Sequence, residues 1–282
     1  MSPAHHFKPD EIQRLSPTEK IGLLATVNSE GLPHITLITS LQPTAEDRMA
    51  FGQFSEGLSK RNIRNNPKSA FVLMTRDKIM WHGTASYTHR VTEGPEYEMF
   101  NEKPMFRYNS YFGVNTVYCL DLVTLNKPEK LPMAAILRAI AATKIAGGPP
   151  APGKKTVLNT MTRKMFNNAA ALKFISWIRD SGYPALVPVI QCRTAGTERL
   201  VFSPGPYARE LQKMPANTEV AIFAITLQME DVLVRGIFNG FARRRGINIG
   251  SVDVNWVYNS MPPAHGQVYP EVPISDSFAD IS

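Results

Sequence analysis

The sequence predicts a mostly β protein with flanking helices, built from two tandem copies of one small antiparallel barrel. Three observations carry that prediction: an ordered series of segments recurs at a nearly constant offset, each copy contains short strand-like runs between turn signals, and a Gly/Pro-rich stretch separates the copies. The segment Val27-Asn28-Ser29-Glu30-Gly31-Leu32-Pro33 returns as Ile178-Arg179-Asp180-Ser181-Gly182-Tyr183-Pro184, which sets Gly31 and Gly182 at an offset of 151. The same offset carries Met49-Ala50-Phe51 onto Leu200-Val201-Phe202, and Ser69-Ala70-Phe71-Val72 onto Val220-Ala221-Ile222-Phe223. His82-Gly83-Thr84 then meets Arg235-Gly236-Ile237 at 153, as a two-residue loop insertion requires. Val123 to Pro128 meets Val257 to Pro262 at 134, so the second copy lacks about nineteen residues that the first inserts between Glu93 and Phe112. The expected boundaries are 1–130 for the first barrel, 131–160 for a helix and linker, and 161–282 for a degenerate second barrel.

Each element of the first copy follows from local chemistry. Asp10 to Leu15, Lys60 to Asn65 and Glu93 to Asn101 read as short helices. Ile21 to Val27, His34 to Ser40, Arg48 to Phe54, Ala70 to Thr75, Met80 to Thr88 and Thr116 to Leu125 are rich in β-branched and aromatic residues, and read as six strands. Between the first two, Ser29 to Pro33 forms a tight hairpin turn in which Gly31 takes positive φ and Pro33 needs no ladder donor. Six such strands in sequence fit a barrel, which removes its own edges by closing. From Pro132 to Ala146 a longer helix is expected, with Met133, Ile136, Leu137 and Ile140 as its packed stripe. Gly147 to Gly153 breaks all periodicity and is the expected linker.

Composition bounds the function. A chain of 282 residues, 43% hydrophobic and 20% charged, buries roughly three quarters of its unfolded surface without staples and is neither disordered nor fibrous. Met1 to Asp10 lacks an apolar signal-peptide core, and the apolar run Met133 to Ala142 is interrupted by Arg138, so a cytoplasmic protein with no membrane partner is expected. Cys119 and Cys192 have no CxxC spacing and read as two buried thiols. The formal charge of +7 suits a phosphorylated small molecule, but Lys154-Lys155 and Arg243-Arg244-Arg245 are the only clusters, and no nucleic-acid motif accompanies them. No dinucleotide fingerprint, P-loop, nucleophile elbow or zinc-protease motif occurs, and His34, His82, His89 and His265 share no ligand spacing, so no metal is expected.

One polar cluster remains, running from Gly52-Gln53-Phe54-Ser55 through Ser59-Lys60-Arg61-Asn62-Ile63-Arg64 to Asn65-Asn66-Pro67. Its hydroxyls, cations and amide sit at a strand-to-helix junction, where free N–H groups and a Lys make a ready phosphate site. An N-cap Ser59 followed by a solvated basic helix is the equally weighted structural alternative.

Leu24-Ala25-Thr26-Val27-Asn28-Ser29-Glu30-Gly31-Leu32-Pro33-His34, a strand ending in Phe51, Ser59 to Pro67, and Trp81-His82-Gly83-Thr84-Ala85 together resemble the pyridoxamine-5′-phosphate oxidase-like family of FMN-binding split barrels. The resemblance covers about residues 10–130, and more weakly 170–262. It implies two six-stranded split β-barrels, FMN as cofactor, and an FMN-dependent oxidoreductase with the flavin carrying the electrons. By the same resemblance Ser59, Lys60 and Asn62 bind the phosphate with help from Gln53 or Ser55. Main-chain groups of Thr36, Leu37 and Ile38 pair with the flavin ring. The family's usual Pro is replaced by Leu37, and the basic residues expected along the second strand are absent, which argues against pyridoxamine phosphate as substrate.

The partners expected are an unidentified small-molecule substrate and an NAD(P)H donor. At offset 151 the cluster becomes Pro206 to Lys213, with no Ser-Lys-x-Asn set. The second barrel is therefore expected to act as an intrachain pseudodimer partner, with Trp256 or Tyr258 over the flavin and a homodimer as a further option. Tyr108, Tyr111, Trp81 and His82 are candidates for the substrate side. A catalytically idle flavin carrier or sensor is one rival reading, and a haem-binding split barrel using His82 or His34 is the other.

Overall fold

The computed structural model describes residues 6–17, 19–53, 57–102, 114–149, 153, 155–226, 228–259 and 266–271. The first repeat opens with helix α1 (Pro9–Leu15), followed by strands β1 (Lys20–Val27), β2 (Pro33–Leu37), β3 (Gln42–Ala45) and β4 (Arg48–Gln53). Helix α2 (Leu58–Asn65), β5 (Lys68–Thr75), β6 (Ile79–Val91), α3 (Pro95–Asn101), β7 (Thr116–Leu125) and β8 (Glu129–Lys130) complete it. Helix α4 (Met133–Ala146) leads to α5 (Thr160–Asn167) and to β9 (Leu172–Trp177), β10 (Val187–Pro188), β11 (Arg193–Thr194) and β12 (Arg199–Phe202). A 3₁₀ turn (Gly205–Tyr207), helix α6 (Ala208–Leu211), β13 (Thr218–Ile225), β14 (Asp231–Arg244), β15 (Ile247–Asn259) and β16 (Gly266–Tyr269) follow.

The duplication is visible in the topology. The first sheet runs β2-β1-β5-β6-β7-β4-β3 and the second β10-β9-β13-β14-β15-β12-β11, the same order strand for strand, with β8 and β16 as eighth members. Both hairpin turns use the same device: Gly31 (φ 77°) and Gly182 (φ 79°) take positive φ, and their N–H groups donate to Asn28 O and Arg179 O. Gly83 and Gly236 each admit a neighbouring strand, since a Cβ would lie 1.9 Å from Thr124 O or 2.1 Å from Asp253 O, but register corrects their expected equivalence: Phe71 pairs with Gly83 and Ile222 with Val234, so the hairpin keeps offset 151 without a two-residue insertion. Register corrects a further offset. Arg48 pairs with Asp121 and Arg199 with Asp253, which sets β7 and β15 at 132, two residues less than the 134 read from sequence. Bulges in β6–β7 and β14–β15 fall at matching positions, so the same relation holds along both ladders.

Two compact units result, one of residues 1–133 with 176–186, the other of 134–175 with 187–282. In the first, Leu24, Met49, Phe51, Phe71, Leu73, Trp81, Tyr118 and Leu120 form one apolar cluster that also takes in Phe7, Leu15 and Ile63. Side chains from β1, β4, β5, β6 and β7 meet in it, so the sheet curls around its own core. Phe100 of α3 with Val114 packs separately on Ala50 and Val117. Lys68 Nζ donates to Ser181 O (2.7 Å) and stands 5.3 Å over the Tyr183 ring, within this same unit.

In the second unit α4 buries Ile136, Ala139, Thr143 and Ala146, while Met133 and Leu137 are exposed, so its packed stripe is rotated from the expected one. Small residues and a bonded hydroxyl explain the rotation: Ala146 packs with Val201, and Thr143 Oγ1 donates to Ser203 Oγ (3.0 Å) and accepts from Ser203 N (2.9 Å). Val201 and Ser203 are the counterparts of Ala50 and Gly52, which Phe100 and Val114 cover in the first repeat. The helix that precedes the second repeat thus does the work of the insertion that repeat lacks. Cys192 is buried, but Cys119 is only half-buried, correcting the expectation of two buried thiols. Among the described residues no helix is long and apolar enough to cross a membrane.

Candidate functional site

Helix α2 carries the Ser-Lys-x-Asn set, and its start is the first feature to settle. The N-cap is Gly57 in extended backbone, with no side-chain cap, so Ser59 is the second helical residue and not the cap expected from sequence. Ser59, Asn62 and Ile63 form the buried face, with Ser59 2% exposed, whereas Arg61 and Arg64 are exposed and Lys60 is half-buried. The first intrahelical acceptor bond is Arg61 N to Gly57 O at 3.5 Å, so the N–H groups of Leu58, Ser59 and Lys60 lie ahead of the intrahelical ladder. No acidic residue occupies that first turn. An uncapped helix start without a carboxylate and with a Lys at its third position is an anion-binding arrangement.

Asn62 reaches from α2 into β1, where its Nδ2 donates to Thr26 Oγ1 at 3.1 Å and both groups are buried. The sequence reading passed over Thr26. Its signal was a lone hydroxyl inside the apolar run Leu23-Leu24-Ala25-Thr26-Val27, which a buried strand tolerates only with a partner.

Of the three residues predicted to offer main chain to a ring, the ladder separates one from the others. Thr36 is paired with Leu24, and Ile38 lies one residue beyond β2 with its N–H donating to Gly22 O at 2.7 Å. Alternation along an antiparallel pair then turns Thr36 and Ile38 toward β1 and Leu37 away from it. Gly22 permits this approach, since a Cβ there would sit 2.3 Å from Ile38 O. Gln53 ends β4 opposite Thr116, while Ser55, Tyr108 and Tyr111 lie outside the described residues. The structure thus brings Ser59, Lys60 and Asn62 together on a helix packed on β1 and β2.

The two other substrate-side candidates are committed to the fold. Trp81 is 2% exposed, its Nε1 donates to Glu11 Oε1 at 3.0 Å, and the Arg14 guanidinium lies 5.7 Å from its ring centre, so it anchors α1. His82 has Nδ1 3.2 Å from Asn126 Nδ2 and Nε2 3.7 Å from Glu129, whose carboxyl is raised above its usual value by burial. An axial role on haem would take His82 from both neighbours, and His34 is buried.

In the second repeat the corresponding positions have other occupants. Trp177 stands where Thr26 does, Leu211 replaces Lys60 and is fully buried, and Lys213 replaces Asn62 and pairs with Glu210 at 2.7 Å. Trp256 and Tyr258 stack on each other (5.4 Å, 9°) with the Arg235 guanidinium 3.9 Å from the Trp256 ring centre. Among the described residues no group of three or more His, Cys, Asp or Glu could hold a metal ion.

With this geometry in hand, the chain can be set beside known proteins. A family model described as "Pyridoxamine 5'-phosphate oxidase" matches residues 9–142, which spans the first repeat and all of its polar cluster. No curated protein matches significantly. Among solved structures, an FMN-binding protein from Syntrophomonas wolfei subsp. wolfei is 14% identical, with a TM-score of 0.35, covering 43% of this chain and 82% of its own. HupZ of Group A Streptococcus is 19% identical (TM-score 0.35; 42% and 92% covered). HutZ, described as a haem storage protein from Vibrio cholerae, is 14% identical (TM-score 0.33; 43% and 93%).

Proposed function

The first repeat is a pyridoxamine 5′-phosphate oxidase-like split barrel, and on that premise we propose that the chain is an FMN-binding oxidoreductase acting on a small-molecule substrate. The observation that carries the reading is the start of α2. The helix ladder begins only at Arg61 N, the first turn carries no acid, and with the Lys60 ammonium this start favours a dianionic phosphate, while Ser59 and Asn62 supply neutral donors on the adjoining helix face. The residues present therefore fit the group.

When bound, FMN would supply a ring that takes up and gives back a hydride, chemistry the side chains lack. This chain's own contribution is to bind and orient. Lys60 and the helix start neutralise the phosphate, and Leu37, turned away from β1, offers main chain to the ring edge. The half-buried surface of Thr36 and Leu37 is apolar and hydroxylic, which supports a substrate other than pyridoxamine phosphate; a reduced nicotinamide is the donor proposed.

The test is the absorption spectrum of the purified protein, followed by titration with FMN and riboflavin and by an NAD(P)H oxidation assay. An oxidised-flavin spectrum, a clear preference for FMN and steady NAD(P)H oxidation are expected. A Soret band would replace this reading with haem binding, and flavin without turnover would reduce it to a carrier.

A further inference from the structure

We infer that Thr26 is a positioning residue of the phosphate site, acting through Asn62. The inference rests on the reading just proposed, in which Asn62 meets the phosphate. Three observations lead to it.

The first is the contact. A carboxamide rotates broadly about its last torsion, so an asparagine contributes a donor of defined direction only if something fixes the amide. Here Nδ2 donates to Thr26 Oγ1 at 3.1 Å, from a helix residue 7% exposed to a strand residue with no exposure. The second is the setting. Thr26 interrupts an apolar run in which valine would fill the same space without a hydroxyl to satisfy, so packing alone does not call for threonine there. The third is an internal comparison. In the second repeat both halves of the contact have changed together, to Trp177 and Lys213, and Lys213 turns to Glu210 instead. The hydroxyl is absent from the repeat in which the carboxamide and the rest of the Ser-Lys-x-Asn set are absent.

The role differs from that of Ser59 or Lys60, since Thr26 need not touch the ligand. By holding one amide hydrogen, it leaves the second hydrogen and Oδ1 of Asn62 in one orientation and removes the alternatives from the unliganded site.

The experiment uses the full-length chain with Thr26→Val, Thr26→Ser, Asn62→Ala and the double variant Thr26→Val/Asn62→Ala, each titrated with FMN and with riboflavin. Thr26→Val should weaken FMN five- to twentyfold and change riboflavin less than twofold, Thr26→Ser should stay within twofold of wild type, and the double variant should bind FMN no more weakly than Asn62→Ala alone. If Thr26→Val does not fold, Thr26→Ala against Thr26→Ser makes the same comparison. Equal losses for both ligands, no loss for FMN, failure of serine to rescue, or additive effects in the double variant would each overturn the inference. Lys60→Ala separates the two levels. If it loses FMN selectively while Thr26→Val does not, the inference falls and the phosphate site stands; if wild type binds FMN and riboflavin alike, both fall.

Discussion

Lys60 is the half-buried cation in the first turn of α2, beside the exposed Arg61, so its removal is the sharpest test at the scale of a single side chain. Lys60→Ala deletes a charge-assisted phosphate contact and should weaken FMN by about ten- to a hundredfold, with riboflavin unaffected; paired titrations measure both. A second residue-scale prediction concerns Lys173, which takes the place of Gly22 in the second repeat. Its side chain is buried, with Nζ donating to Asn168 O (2.8 Å) and Ile190 O (3.0 Å), and burial pulls its pKa from 10.5 down to about 8. The folded state releases this proton before the unfolded state does, so the unfolded state binds more protons between about pH 8 and 10.5 and stability rises across that window. Lys173→Met lacks the effect. Urea midpoints at pH 7 and 9.5 should therefore show wild type gaining on the variant by about 1–3 kcal/mol. The nearby Cys192 thiol, pushed up from 9.0 to about 12 by burial, opposes this gain above about pH 9, where only the unfolded thiol ionises, so the comparison is read as wild type against variant, both of which carry it. Ser59, Lys60 and Asn62 were legible as candidates because hydroxyl, cation and amide cluster at a junction, and the structure carries all three on one helix. The Asn62–Thr26 contact was not legible, since the partners are 36 residues apart, nor was the helix cap, because Gly57 satisfies the extended backbone there without a side chain.

Among the elements, the strands were readable because β-branched and aromatic runs alternate with turn residues, whereas β3 escaped notice. Gln42-Pro43-Thr44-Ala45 has little strand character, and its Pro43 is tolerated because β3 ends the sheet order. The stripe of α4 was misread for a related reason: hydrophobicity favoured Met133 and Leu137, but close approach to β12 selected Ala139, Thr143 and Ala146. The β6–β7 and β14–β15 crossings supply the prediction at this scale. Gly83→Ala and Gly236→Ala each drive a methyl into a backbone carbonyl of the facing strand, which cannot move aside as a side-chain tip would. Each should cost about 1–3 kcal/mol in denaturant unfolding. The α4 contact can be tested alongside: Thr143→Val leaves Ser203 N without its buried acceptor, Ser203 Oγ keeping Ala139 O, and should cost about 1–3 kcal/mol, whereas the exposed Leu137→Ala should fall within about 0.5 kcal/mol of wild type.

For the whole molecule, the duplication leads to an expected number of ligands. With Trp177, Leu211 and the Glu210–Lys213 pair standing where Thr26, Lys60 and Asn62 stand in the first repeat, full-length protein should release one FMN per chain on denaturation, measured by flavin absorbance against protein concentration. A saturated value of two would overturn the claim that the second repeat has lost its site. The recurrence of motifs at offset 151 was enough to reveal two copies, because it rests on short-range turn and strand chemistry. How residues are shared between the units was not legible, since it depends on contacts across the chain. The path of the chain through the units has a consequence for synthesis. Residues 1–133 enter the first unit, 134–175 the second, 176–186 the first again, and the remainder the second. No single peptide bond divides them, and a nascent chain that has just exposed Met133 still lacks the hairpin turn that Lys68 grips at Ser181. At 5–20 residues per second that turn emerges roughly 3–10 s later. For those seconds the first unit must wait, incomplete, on a segment that the ribosome delivers only after the second unit has begun.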